Sequence, residues 1–254
     1  MEVVELRCFG ARAGEGNAAL VVIGGAQDEA VRLAFAKASN KPACVFVDGD
    51  VLDYYYPHMR SPLCLHATLA AGKVLLGDQA GPLKVRTGLK GQELALSQRN
   101  GTIFVSLRRQ QTPTVAISTE LPGRLLGDQS ISLASEPAIA SVGSPKLLLE
   151  VADSATLQAL QPDLAAIAEW GKANGVSGVY AWCRREDGAL EGRNFNHLDP
   201  KLEDAATGVA AGALTVLLDK PVTLYQGANM RQPCLLRTTI NGEDILVGGA
   251  AEIV

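Results

Sequence analysis

Two short stretches hold the residues best suited to moving a proton. "LCLHATLAAGKVLL", from Leu63 to Leu76, opens on Cys64 and His66, and "LEDAATGVAAGALTVLL", from Leu202 to Leu218, opens on Glu203 and Asp204. An imidazole can donate or accept a proton near neutrality and a carboxylate can accept one, so His66 and Asp204 are a natural acid–base couple. Cys64 adds a thiol at a helix start, where a thiolate would be stabilised. Glu203 adds a second carboxylate. The helix dipole disfavours a charged histidine in a first turn, so a neutral His66 with a lowered pKa, competent in proton transfer, is expected. The plainer alternatives are a packed, hydrogen-bonded histidine and an Asp204 that merely caps its helix. Because Glu203 stands where Cys64 stands in the other stretch, a symmetric two-thiol racemase is not encoded.

Both stretches share one layout: polar residues, Ala-Thr, a small-residue run with Ala-Ala-Gly, then a Leu/Val tail. Ala67 to Leu76 and Ala205 to Leu218 are apolar or small nearly all round, and a helix without a polar face is buried on all sides. Upstream, Asn17 to Ile23 reads as a strand, and Val31, Ala34, Phe35 and Ala38 fall on one helical face. Asn40 and Pro42 end that helix before a second strand, Cys44 to Val47. The order repeats in the second half: a strand at Leu147 to Val151, a helix opened by Pro162 and Asp163, and a strand at Val179 to Trp182. The face of this second helix is Leu164, Ile167, Ala168 and Gly171, and Asn174-Gly175 closes it. Short strands follow each central helix, at Lys84–Arg86, Glu93–Ser97 and Thr102–Leu107, and again at Val222–Tyr225, Cys234–Thr239 and Asp244–Val247.

These patterns predict an α+β protein of two pseudo-symmetric domains, each a mixed β-sheet wrapped around a buried central helix. The domains are expected at 1–113, with a central helix near 65–76, and at 114–254, with one near 205–218. Strands of the second half could also cross over to complete the first domain. Two such units side by side would leave a cleft between them. Unpaired N–H groups at the helix starts suit an anionic ligand such as a carboxylate.

A net charge of −4 and the absence of any Lys/Arg run argue against a nucleic-acid partner. No apolar run approaches the ~20 residues that cross a bilayer, and no basic region precedes an apolar core at the N-terminus, so a cytoplasmic location is the expectation. Five scattered cysteines and three histidines, His58, His66 and His197, show no metal-ligand spacing. Gly24-Gly25 follows a strand, but the full dinucleotide fingerprint and a phosphate-binding GK[ST] are missing.

Several ordered motifs resemble the phenazine-biosynthesis PhzF-like isomerases, which share the diaminopimelate-epimerase-like fold. "CFG" followed by "GNAALVV" is similar to that family's opening strand and Gly-Asn-Pro turn. "PHMRSPLCLHATLAAGKVL" resembles Pro-x-x-Glu-x-x-Leu-Cys-Gly-His-Ala-Thr-Leu-Ala. "GRNFNHLDPKLEDAATGVAAGAL" resembles Arg-x-Phe followed by Glu-Asp-Pro-x-Thr-Gly-Ser-Ala, and "YQGANMRQPCLL" resembles Gln-Gly-x-x-Met-Gly-Arg-Pro-Ser. The resemblance spans essentially the whole chain.

It implies an interdomain active site, no metal, no organic cofactor, and proton movement on a small carboxylated metabolite. It also suggests a homodimer. The family's main acid/base is a Glu assisted by a His and an Asp; His66 and Asp204 carry over directly. The Glu aligns with Ala43, in "NKPACVFV", and an alanine cannot exchange a proton. Arg60 replaces another Glu, Leu65 a Gly, Val209 a Ser, Ala211 a His, and Arg231-Gln232 a Gly-Arg pair. A leucine at 65 fills space that a glycine would leave for a ligand.

Two readings follow. One is a divergent isomerase or epimerase using His66 and Asp204, with Cys64 and Glu203 as further candidates. Its substrate would be held by Asn17, Leu65, Ala67, Thr68, Thr207, Gly208, Val209 and Arg60, the last as an anion contact. The alternative is a non-catalytic small-anion-binding or scaffold protein that has lost the isomerase activity.

Overall fold

The computed structural model describes residues 1–196 and 203–254. His197 and Leu202 therefore lie outside the described residues. In chain order the elements begin with β1 (Glu2–Cys8), β2 (Asn17–Ile23), α1 (Glu29–Ser39), β3 (Cys44–Asp48), β4 (Val51–Tyr56) and β5 (Met59–Ser61). Next come α2 (Leu65–Leu76), β6 (Leu83–Thr87), β7 (Glu93–Arg99), β8 (Thr102–Arg108), α3 (Leu121–Leu126), β9 (Ala138–Ala140) and β10 (Lys146–Glu150). Then follow α4 (Ser154–Ala159), α5 (Leu164–Asn174), β11 (Gly178–Arg184), β12 (Leu190–Asn196) and β13 (Glu203–Asp204). The chain ends with α6 (Gly208–Leu218), β14 (Thr223–Gln226), β15 (Cys234–Asn241) and β16 (Asp244–Ile253). No helix among the described residues is long and apolar enough to cross a membrane.

The chain divides into two compact units, Met1–Leu107 with Leu246–Val254, and Arg108–Ile245. The division falls upstream of the expected 113/114 cut, and the last strand returns to the first unit. Its register explains the return, because Leu6, Arg7 and Cys8 pair with Ile253, Glu252 and Ala251.

In the first unit the strands run β1-β2-β3-β4-β6-β7-β8-β16, and β16 pairs back onto β1. The expected wrapped sheet is thus a closed barrel. Closure leaves no unpaired edge along this path. β2 and β3 pair in parallel, as do β4 and β6, and β1 runs antiparallel to β2. Inside lies α2, packed on β1, β2, β3, β4 and β7. Every residue from Leu65 to Gly72 is buried, as the lack of a polar face requires. Gly72 permits the close approach, since a Cβ there would lie 2.9 Å from Ile103 Cγ2.

Helix α1 sits on the barrel's outside, and its face differs from the expected one. Val31, Ala34 and Ala38 are exposed, whereas Arg32 and Ala36 are buried and Leu33 and Phe35 pack beside them. The cause is Arg32. Its guanidinium bonds Asp48 at 2.6 Å, Asp53 at 3.0 Å and the Ala26 carbonyl at 2.6 Å, and it lies over the Phe46 ring. A buried charge with this many partners outweighs the small apolar area of two alanines and a valine.

In the second unit the order is β15-β14-β12-β11-β10-β9, with β13 on β12. Leu147, Leu149, Val179, Ala181 and Phe195 form one face of this sheet, in a core with Leu121 and Leu125 of α3, Leu157 of α4 and Ile167 and Trp170 of α5. Asp163 caps α5 by accepting from Ala166 N, and Gly175 closes it in the left-handed conformation. Helix α6 packs on β9, β10 and β15.

Candidate functional site

The first unit builds its site at the start of α2. Cys64 is the N-cap residue, with extended backbone and no side-chain cap bond, and His66 lies in the first turn. The imidazole is 6% exposed. Its Nδ1 is 3.4 Å from Cys64 Sγ and 3.5 Å from the Asn17 side-chain nitrogen. An amide nitrogen can only donate, so at this contact Nδ1 is suited to accept.

Asn17 reaches this place as the first residue of β2, opposite Cys8. One turn along α2, the Thr68 hydroxyl is 2.8 Å from the Cys64 carbonyl and 2.8 Å from the Tyr54 hydroxyl. The carbonyl can only accept. Thr68 therefore gives it its single proton and receives that of Tyr54. Burial pushes the Tyr54 phenol far above its ordinary pKa, against the opposing Thr68 hydrogen bond, keeping it a neutral donor.

In the second unit Asp204 is not a helix cap. It lies in β13, opposite Asn194, and α6 begins later than expected, at Gly208 after Thr207. The Asp204 carboxylate accepts the Thr207 hydroxyl at 2.7 Å, so the side chain organises the loop before the helix. Gln226 locks the same loop. Its amide donates to the Asp204 carbonyl at 2.6 Å and to Thr207 Oγ1 at 3.0 Å. Its oxygen accepts Thr207 N at 3.2 Å and the Tyr180 hydroxyl at 2.9 Å. These four bonds saturate a glutamine amide. Gly192 makes room for the arrangement, because a Cβ there would collide with the Tyr180 hydroxyl.

Glu203 faces another task. Both of its oxygens are held by Arg193, at 2.9 and 2.8 Å, and that guanidinium also donates to the Leu157 and Leu160 carbonyls. The carboxylate is one half of a largely buried, bidentate ion pair that ties β13 to β12 and the end of α4. Arg60 is similarly engaged, with Asp53 at 2.8 Å and Glu29 at 2.8 Å. The anion contact expected of Arg60 is thus met by two carboxylates of the protein itself.

The model of the phenazine biosynthesis-like protein family matches residues 6–254. The chain belongs to this family. A Deinococcus radiodurans protein described as an uncharacterized isomerase is 33% identical, over 98% of this chain and 91% of that one. Among solved structures, a Pseudomonas aeruginosa protein described as a predicted epimerase superposes with a TM-score of 0.82 at 22% identity, covering 99% of this chain and 96% of that one. A Bacillus anthracis phenazine biosynthesis protein of the PhzF family gives 0.78 at 18% identity, covering 100% and 98%. At such identities these structures speak for the fold, which is epimerase-like, while the family membership speaks for isomerase chemistry in general.

Against this family's motifs, Ala43 is fully buried just before β3, with its carbonyl accepting Leu20 N at 3.0 Å. Leu65 is 4% exposed, Ala67 and Thr68 are fully buried, and Gly208 is buried. Val209 is partly exposed. Among the described residues no three His, Cys, Asp or Glu side chains gather closely enough to hold a metal ion. Sequence reasoning missed Gln226 as the partner of Asp204, with Tyr180 behind it, and it missed the buried Lys146. The only trace of Gln226 was the Gln-Gly pair in "YQGANMRQP".

Proposed function

We propose that this phenazine biosynthesis-like protein is an isomerase that moves a proton on a small carboxylated metabolite without a metal or an organic cofactor. The observation that carries the reading is the buried imidazole of His66 with the Cys64 thiol and the Asn17 amide at its Nδ1. An imidazole with an amide and a thiol at one ring nitrogen is suited to take up and return a proton. Asp204, placed by Thr207 and Gln226, is a second group of this chain suited to carry a proton. His66 takes the proton from the carbon next to the substrate carboxylate on a ring nitrogen and returns it to the product, so atoms and charge balance and the ring ends as it began. Cys64 tunes the ring through Nδ1.

The test is deuterium uptake from heavy water by a panel of small amino and hydroxy acids. Uptake at the carbon next to the carboxylate is expected, falling by roughly 10²–10⁴ in His66→Ala and in Asp204→Ala. Uptake that survives both substitutions would sink the assignment. A second reading has one observation in its favour: a buried methyl, Ala43, stands where the resemblance puts the family's Glu. Ligand binding across the panel with no uptake for any member would select that non-catalytic reading.

A further inference from the structure

One face of the second unit's sheet carries a row of polar side chains that leads to Asp204, and two of them, Lys146 and Asn194, have no part in the proton transfer. Tyr180 on β11 lies opposite Asn194 on β12, and Asn194 lies opposite Asp204 on β13. Leu148 on β10 lies opposite Tyr180. Side chains alternate along a strand, so Lys146, two residues before Leu148, rises from the same face. Gly178, the β11 residue next in register to Lys146, has no side chain. The other face is the apolar one of Leu147, Leu149, Val179, Ala181 and Phe195.

The row is deeply buried at its inner end and opens at Asp204. Lys146 is 1% exposed and Asn194 is 0% exposed, whereas Asp204 is half-buried. The Lys146 ammonium donates to the Ser177 carbonyl at 2.9 Å, its one hydrogen bond among the described residues. Its nearby counter-charge is Asp204. Among the described residues neither the nitrogen nor the oxygen of the Asn194 amide has a partner, and no other buried side chain has two unpartnered polar atoms. Buried amides and ammonium groups with unused donors are disfavoured in a core that serves only packing, and functional sites are where they persist.

Position repeats this logic across the duplication. Asn17, the first residue of the parallel strand β2, serves His66. Lys146, the first residue of the parallel strand β10, feels the charge of Asp204.

We propose that Lys146 and Asn194 form a carboxylate-binding subsite beside Asp204. The ammonium supplies the charge and the Asn194 amide a second donor to the carboxylate of a small organic acid. Lys146 also offsets the repulsion between that carboxylate and Asp204. The proposal rests on the reading above that the substrate is a small carboxylate, and it adds which groups receive it.

The test titrates acetate, lactate and alanine into the full chain and into Lys146→Met and Asn194→Leu, followed by calorimetry, with melting temperatures measured without ligand. Each substitution exchanges a buried polar group for an apolar one of similar size. Affinity should fall roughly ten- to a hundredfold in each variant, while the melting temperature holds or rises. Equal affinities in all three proteins overturn the subsite, as does a wild-type chain that binds none of the three acids. A loss of affinity matched in both variants by a lower melting temperature overturns it too, since that is the mark of a structural role. Binding that depends on Lys146 and Asn194 without any deuterium uptake supports the subsite and sinks the isomerase reading. Uptake whose KM is unchanged in both variants does the reverse.

Discussion

Replacing Gln226 by methionine keeps the length of the side chain while deleting all four of its hydrogen bonds. Gln226 is 3% exposed, so water cannot readily take over. The Tyr180 hydroxyl, fully buried, loses its acceptor, and Thr207 N, in a residue 6% exposed, loses its own. The Asp204 carbonyl loses a donor but belongs to a half-buried residue. Thr207 Oγ1 keeps its bond to the Asp204 carboxylate. At about 1–3 kcal/mol for each buried group left unpaired, two full losses and one partial loss come to roughly 2–7 kcal/mol. The loop carrying Asp204 should also loosen, and a displacement near 1 Å at a reacting group costs on the order of 10²-fold in rate. Chemical denaturation of wild type and Gln226→Met would measure the first effect, and deuterium uptake the second. A Gln226→Met protein within about 0.5 kcal/mol of wild type would refute the claim that this amide organises the site.

Other expectations follow from the same contacts. Asp53→Asn should cost about 3–5 kcal/mol on denaturation, because the 4%-exposed carboxylate answers Arg32, Arg60 and Tyr55 and its loss strands buried charge; the Arg32→Met, Asp53→Leu double variant should recover much of that. Gly192→Ala should destabilise by ~1–3 kcal/mol through its collision with the Tyr180 hydroxyl, seen as a lower melting temperature; an unchanged one would mean that Tyr180 is not held where the structure has it. Burial pushes Lys146 down to about 8 from 10.5, with Asp204 opposing. Below pH 8 the lysine is charged in both states and its desolvation weighs fully against folding; between about 8 and 10.5 the unfolded chain binds more protons, so stability rises with pH. Relative to Lys146→Met, wild type should therefore gain on the order of 3 kcal/mol between pH 7.5 and pH 10.5, and no gain in denaturation curves would show that the lysine titrates normally.

Much of the scaffold was legible without the structure because its signals are local. The strand–helix–strand order of each half, the Asp163 and Gly175 boundaries of α5 and the all-round burial of α2 follow from neighbours within a turn or a pleat. So does the place of His66 in the first turn of α2. Other features escaped the same reading. Asp204 before Ala-Ala-Thr looks like a cap, yet β13 pairs with β12, and pairing with Asn194 moved the helix start to Gly208. Arg32 interrupts an apolar stripe, yet it is the residue that fixes α1 to the barrel.

Sequence alone determined which segments fold, where the first central helix begins, and which residue types stand before both central helices. Hydrophobic periodicity and capping depend on residues a few positions apart, and these are adjacent in any reading of the chain. Tertiary structure alone decided which polar groups meet. It gave Glu203 to Arg193, Arg60 to Asp53 and Glu29, and Gln226 to Asp204, Thr207 and Tyr180. It also returned the last strand to the first barrel. A charge or amide can be buried only beside partners that satisfy it, and those partners come from other strands and helices, so local pattern carries no record of them.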